Sequence, residues 1–292
     1  MPQPRVLILG KNSFIGKNFE AYSMLQPCDK VSLKTNELDS LNFSDYDAVL
    51  HLPAIAHQSS KIPYHQYYKV NSELAYETAR KAKEEGVKQF VFLSTIRIYG
   101  EYTPGDVIWN EETVPKPTDN YGKSKLVAEQ KLRTLNDQGF KVTIIRVSMV
   151  YGPGNKGNIN KMIAFIDKYR IAPLLNINNR RNILYVKNLV DFIDQVIRQR
   201  QQGTFLVTDP KPISTTEIAQ TISKYLEKRI FRFSIPDFLR AFLKFLSPSV
   251  YHKIFDNLVL DNTTTYKSID FQPRYSFDQG MKEMVDWYKM NK

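Results

Sequence analysis

At 292 residues and 42% hydrophobic content, the chain is long enough to bury a large core, as one big domain or two linked ones. Its single cysteine, Cys28, excludes an internal disulfide framework and fits a reducing compartment, and no apolar run approaches the length that crosses a bilayer. The net charge of +11 predicts attraction to something anionic, whether nucleotide, nucleic acid or acidic lipid.

Met1-Pro-Gln-Pro-Arg5 runs into an apolar stretch too brief for a cleaved leader, so a cytoplasmic location is expected. That stretch, residues 6–9, suits a strand buried on both faces. Gly10-Lys-Asn-Ser-Phe-Ile-Gly16 follows, then residues 17–22, which can be helical. Strand, glycine-punctuated turn and helix present backbone N–H groups and a helix N-terminus to a phosphate. Gly10 would make the tight turn and Gly16 would let the helix pack closely. Two glycines suit an ordinary strand-to-helix turn equally well.

Residues 31–33 read as a second strand, 47–52 as a third and 89–94 as a fourth. A helix from about 67 to 85, stopped at Gly86, joins the last two. Residues 141–146 form a further strand, ending at Val150-Tyr-Gly-Pro-Gly154. Strands alternating with helices imply right-handed crossovers and an α/β, doubly wound parallel sheet. Ligands collect at the carboxyl ends of such strands, and three stretches lie there: 10–16, Pro53-Ala-Ile-Ala-His57, and Ser94-Thr-Ile-Arg-Ile-Tyr-Gly100.

Tyr121-Gly-Lys-Ser-Lys125 opens the next helix, and its phenol and second lysine share one face a single turn apart. A fixed cation beside a phenol favours the phenolate and draws its pKa toward the range useful for proton transfer. The spacing alone equally suits a surface tyrosine beside a solvated lysine; its place after the fourth strand lets Thr95, Tyr121 and Lys125 converge above the sheet.

These residues resemble the extended short-chain dehydrogenase/reductases of the nucleotide-sugar epimerase, dehydratase and reductase type, from about Val6 to Tyr288. Gly10, Phe14, Ile15 and Gly16 match the family's first turn, and His51-Leu-Pro-Ala54 matches its His-Leu-x-Ala strand end. Asn71 stands for the asparagine behind the site. Ser94-Thr95-Ile-Arg-Ile-Tyr99-Gly100 and Tyr121-Gly-Lys-Ser-Lys125 match the catalytic segments. The resemblance implies a Rossmann dinucleotide domain over 1–150 with a return segment at 183–208. A smaller C-terminal substrate-binding lobe would comprise 151–182 and 209–292. It implies Thr95, Tyr121 and Lys125 as catalytic, and Gly10, Lys11, Ser13, Phe14, Ile15, Gly16, Lys34, Leu52, Ala54, Asn71 and Ser94 on the cofactor. Asn158 and Arg181 would join Thr95 on a UDP-linked sugar. Asn158 and Asn160 open a helix continuing to 168, where a capping role competes. Arg180 and Arg181 alternatively form a surface pair, and Arg274 is the candidate for a second diphosphate arginine. A homodimer is carried only as an analogy, and no metal is expected.

Several positions depart from the family pattern. Ser13 replaces a glycine close to the pyrophosphate, Pro53 replaces an alanine, and the second strand ends in Lys34-Thr35 without the acidic residue that holds a ribose in NAD binders. With Lys11 nearby, NADP(H) is favoured over NAD(H). Alternatively Lys34 is solvated and Glu37 or Asp39 serves the ribose. Ile96-Arg97 stands where dehydratases of the family place an acidic pair, which leaves a 4-keto reductase, the favoured reaction, or a 4-epimerase. His57 could reach substrate or simply pack.

From Pro236, expected as the first helical residue, Phe238, Leu239, Phe242, Leu243 and Leu246 share a face opposite Arg240 and Lys244. Residues 236–246 thus either pack within the substrate lobe or lie weakly on an anionic membrane surface, at the inner face of the membrane. A non-catalytic dinucleotide sensor is opposed by the complete Thr/Tyr/Lys set. A nucleic-acid scaffold is opposed by the lack of a basic stripe with stacking aromatics.

Overall fold

The computed structural model describes residues 3–34, 36–56, 62–172 and 177–292. The N-terminal strand β1 (Val6–Leu9) is buried at every position, as an apolar run with neighbours on both faces must be. It is followed by α1 (Phe14–Tyr22), β2 (Cys28–Val31) and β3 (Ala48–His51). A helical stretch then runs through α2 (Tyr64–Tyr68), a π turn (Lys69–Glu73) and α3 (Leu74–Glu84) into β4 (Gln89–Thr95). After it come α4 (Asn120–Arg133), β5 (Lys141–Val147), β6 (Met149–Tyr151), α5 (Asn158–Tyr169), β7 (Ile171–Ala172), β8 (Ile183–Tyr185), α6 (Val186–Arg198) and β9 (Gly203–Val207). The C-terminal part holds α7 (Thr215–Leu226), β10 (Phe231–Arg232), α8 (Asp237–Leu246), α9 (Pro248–Phe255), α10 (Thr263–Ser268) and α11 (Phe277–Met290).

Six strands form one parallel sheet in the order β2-β1-β3-β4-β5-β9. The strand order reverses beside β1, the kind of place where doubly wound folds bind their ligands. One face packs Phe19 of α1 and Leu189, Phe192, Ile193 and Val196 of α6. The other packs Ala75, Ala79 and Ala82 of α3 with Ala128 and Leu132 of α4. A separate core joins α5, α7 and α11 around Ile163, Ile222 and Met284. The chain leaves the sheet after β5 and returns to it through α6 and β9, so residues 203–207 complete the sheet beside β5.

Two expectations shift. The second strand is 28–31 rather than 31–33, because Val31 is its last residue and its carbonyl accepts the Gly10 and Lys11 N–H groups. This strand lies at the sheet edge, where Asp29 and Lys30 are tolerated, so no apolar run marks it. The expected helix at 67–85 begins at Tyr64 and is interrupted by the π turn.

Candidate active site

The first turn is built for an anion. Gly10 takes φ +102°, a left-handed backbone that suits glycine, and directs the chain from β1 toward α1. Ser13 caps α1, its Oγ accepting the Gly16 N–H at 2.9 Å. The substituted residue thus has its hydroxyl turned onto the helix. Phe14 and Ile15 occupy the first two helical positions, whose N–H groups have no partner within a helix and are the donors a pyrophosphate would take. Leu52 packs beneath: a Cβ added to Gly10 would stand 3.1 Å from that of Leu52. Ala54 is exposed just beyond β3. This turn fits a dinucleotide.

At the carboxyl end of β2, the Lys11 N–H reaches the Val31 carbonyl at 3.1 Å, and Lys34 lies three residues further on. Both lysines are exposed. Lys34 shares a surface depression with Glu37, Asp39 and Leu74, so cations and carboxylates both stand near the expected ribose.

Thr95, the last residue of β4, and Tyr121, in the first turn of α4, bring their side chains within reach of each other. Two features bring them together. Asp119 caps α4 through the Gly122 N–H at 2.6 Å, and Gly122 lies so close to the preceding segment that an added Cβ would stand 2.5 Å from the Arg97 carbonyl oxygen. No larger residue fits there.

The phenol's pKa differs from the expectation. Burial pushes Tyr121 up to about 12, while the Thr95 hydroxyl and then the Arg97 charge pull the other way. Lys125 is engaged with β4. Its ammonium donates to the Leu93 carbonyl at 2.8 Å and lies 4.2 Å from the centre of the Phe92 ring. Burial lowers Lys125 to about 7, opposed by the Glu129 carboxylate. Desolvation, a tertiary effect, outweighs the local charge pairing suggested by the spacing.

Behind this pair lies a network that sequence reasoning missed. Glu129, fully buried one turn beyond Lys125, accepts from Ser94 Oγ at 2.5 Å and from Arg146 Nη2 at 2.7 Å. Arg146 in turn donates to Tyr99 Oη at 2.6 Å. The four-residue step from Lys125 to Glu129 was a readable signal. Ser94, expected on the cofactor, has its side chain committed to this network. Asn71 is likewise committed: its amide oxygen accepts from Ile55 N–H at 2.8 Å, and its amide nitrogen donates to Ile55 O and Ser124 Oγ. It therefore positions the segment after β3 and the helix carrying Tyr121.

Arg97 forks between Asp119 and Glu101 beside Thr95 and Tyr121. Arg181 is half-buried and donates to the Asp256 and His252 carbonyls at the end of α9, at 2.8 and 3.2 Å, while Arg180 is exposed. The charges of Arg97 and Arg181 are close enough to repel. Asn158 is exposed at the start of α5; Asn160 turns inward, its amide oxygen buried without a partner among the described residues. Arg274 is paired with Asp191 of α6 at the surface. His57 lies outside the described residues.

A parallel sheet with a phosphate-ready first turn and a Thr/Tyr/Lys group at the strand ends is the architecture of Rossmann-type dinucleotide-binding proteins. The model of the NAD dependent epimerase/dehydratase family matches residues 6–207, and the chain belongs to that family of enzymes. It is 28% identical to a UDP-glucose 4-epimerase of Vibrio cholerae over 95% of this chain and 93% of the relative. It is 24% identical to an N-acetyl-alpha-D-glucosaminyl-diphospho-ditrans,octacis-undecaprenol 4-epimerase of Escherichia coli O157:H7, covering 83% of this chain and 77% of that one. The solved UDP-N-acetylglucosamine 4-epimerase of Bacillus cereus shares the fold, with a TM-score of 0.79 at 20% identity over 98% of this chain and 99% of that one.

Proposed function

We propose that the protein reduces the 4-keto group of a UDP-linked 6-deoxyhexose or its amino counterpart, with NADPH preferred as reductant. The observation that carries this reading is the placing of the buried Tyr121 phenol beside Thr95 at the carboxyl end of β4. A phenol with a pKa of about 12 is a proton donor at neutral pH. Tyr121 gives its proton to the sugar O4 as the carbonyl becomes a hydroxyl, and Thr95 holds the same oxygen in line. A bound nicotinamide supplies the hydride. Lys125 and the Phe14 and Ile15 N–H groups would hold the dinucleotide. Lys11 and Lys34 support a 2′-phosphate on its ribose. Ser13 takes up one N–H of the α1 terminus, in keeping with a cofactor that exchanges at each turnover. Arg97, placed beside Thr95 and Tyr121, argues against dehydration, since the acid needed to work at C5 and C6 is replaced by a guanidinium. Arg181 supports binding of the substrate diphosphate, for which a planar fork of donors is suited.

A second reading, 4-epimerisation of a UDP-sugar, is favoured by the end-to-end similarity to the Vibrio cholerae 4-epimerase. Incubation with a panel of UDP-sugars and UDP-4-keto sugars, with NADPH or NADH and product analysis by NMR, separates the two. Stoichiometric consumption of NADPH with a 4-hydroxy product is expected. Interconversion of two UDP-hexoses without added cofactor would overturn net reduction in favour of epimerisation.

A further inference from the structure

Helix α8 leaves its phenylalanines in water. An amphipathic helix on a globular protein normally turns its apolar stripe inward and its charges to water. Here Phe238 is 71% exposed, Phe242 56%, Phe245 83% and Leu246 62%, and no residue of the helix is buried. The half-buried positions are Arg240 and Leu243, and the two cations reach toward rings of the next helix. The Arg240 guanidinium lies 5.4 Å from the Phe255 ring centre, and the Lys244 ammonium 5.4 Å from that of Tyr251, both rings belonging to α9. Phe231, in the strand leading toward α8, is also 70% exposed. Leaving large apolar side chains in water forgoes the favourable free energy of burying them. A contiguous apolar face of this kind marks an interaction surface.

The charge around the helix indicates what covers it. Residues 229–253 carry Arg229, Arg232, Arg240, Lys244 and Lys253 against one carboxylate, Asp237, in a chain of net charge +11. A second copy seated symmetrically on this face would bring two such cationic segments together, with like charges opposed. An anionic bilayer satisfies both features, because phenylalanines enter the interfacial region while lysines and arginines stay at the phosphate level. No helix among the described residues is long and apolar enough to span a membrane. The mode available is shallow and parallel to the surface.

We propose that α8 is a membrane-docking helix that inserts its Phe238/Phe242/Phe245 face into the surface of an anionic phospholipid bilayer. The helix is tied to the catalytic half of the molecule through α9, whose carbonyls hold Arg181 and whose His252 ring stacks on Tyr102 at 4.3 Å. Docking therefore sets the edge of the site that carries Arg181 near the lipid surface. This inference does not depend on which reaction Tyr121 performs.

The test is sedimentation of the full chain with vesicles of equal parts phosphatidylglycerol and phosphatidylcholine, and with phosphatidylcholine alone. The wild type should pellet with the anionic vesicles and much less with the neutral ones. The Phe242→Ser/Phe245→Ser double variant should lose about tenfold or more of that affinity. Its circular dichroism and dinucleotide binding should be unchanged, since both side chains lie in solvent. Lys253→Glu, which leaves the apolar face intact, should also weaken anionic binding and provides a second variant if the first misfolds. Failure of the wild type to pellet, or equal pelleting by wild type and folded double variant, would overturn the proposal. So would light scattering that shows a dimer converted to monomer by the double variant without any vesicle binding.

Discussion

Tyr121 and His51 show how burial, rather than the neighbouring sequence, sets the chemistry of single residues in this protein. The spacing of Tyr121 and Lys125 is legible in the sequence, and so is their place beyond a strand end. The direction of the phenol's shift is not, because it depends on how much water the fold removes. His51, at the end of β3, is an extreme case. It is fully buried, packs against Phe90 and Phe92, and both ring nitrogens lack a partner among the described residues. Burial, and secondarily the Lys125 charge, lowers it to about 3. Between that value and the ordinary histidine value the unfolded chain takes up a proton that the native protein refuses, so this contribution to stability falls as pH falls. Relative to His51→Leu, the wild type should lose up to about 1.4 kcal/mol of unfolding free energy per pH unit on going from roughly pH 6 to 5. Urea unfolding of the two proteins across that range measures it. Parallel stability curves would show that His51 is protonated or solvated in the native state.

Among the elements, β1 and β4 are evident from sequence because strands covered on both faces are written as unbroken apolar runs. The edge strand β2 is not, and its last residues are fixed by the first turn closing on Val31. The π turn at Lys69–Glu73 also leaves no local mark, since it is held by tertiary contacts of Asn71 and by Ser72 Oγ donating to the Ser124 carbonyl at 2.6 Å. These contacts bind the helix before β4 to α4. Asn71→Ala leaves the Ile55 N–H and Ser124 hydroxyl short of a partner and should destabilise the protein by about 1–3 kcal/mol, with weakened dinucleotide binding. Asn71→Asp, which sets an unpaired carboxylate against the Ile55 carbonyl in this fully buried place, should destabilise at least as much. Calorimetric titration and urea unfolding check both effects; an alanine variant with unchanged stability and affinity would deny Asn71 its positioning role. For α8 the period placed Leu243 with the phenylalanines, whereas the structure half-buries Leu243 beside Arg240 and leaves Phe245 the most exposed of the helix's large apolar side chains.

At the scale of the whole molecule, the phosphate-ready turn after β1 and the Thr95/Tyr121 pair beyond β4 belong to neighbouring regions of one sheet, which is how this fold brings a dinucleotide to a sugar. The order of the motifs along the chain made that architecture readable. How each candidate arginine is placed was less so, because Arg180, Arg181 and Arg274 are equivalent as letters and differ only in burial and in the Asp191 carboxylate beside Arg274. The most direct measurement is transfer of label from NADPH deuterated at the nicotinamide C4 to a UDP-4-keto-6-deoxyhexose, followed by NMR of the sugar. The account predicts one deuterium, at sugar C4, arriving faster from NADPH than from NADH, and a transfer rate reduced by ~10²–10⁴-fold in Tyr121→Phe. Label at another sugar carbon, no label at all, or transfer at the wild-type rate by Tyr121→Phe would contradict it.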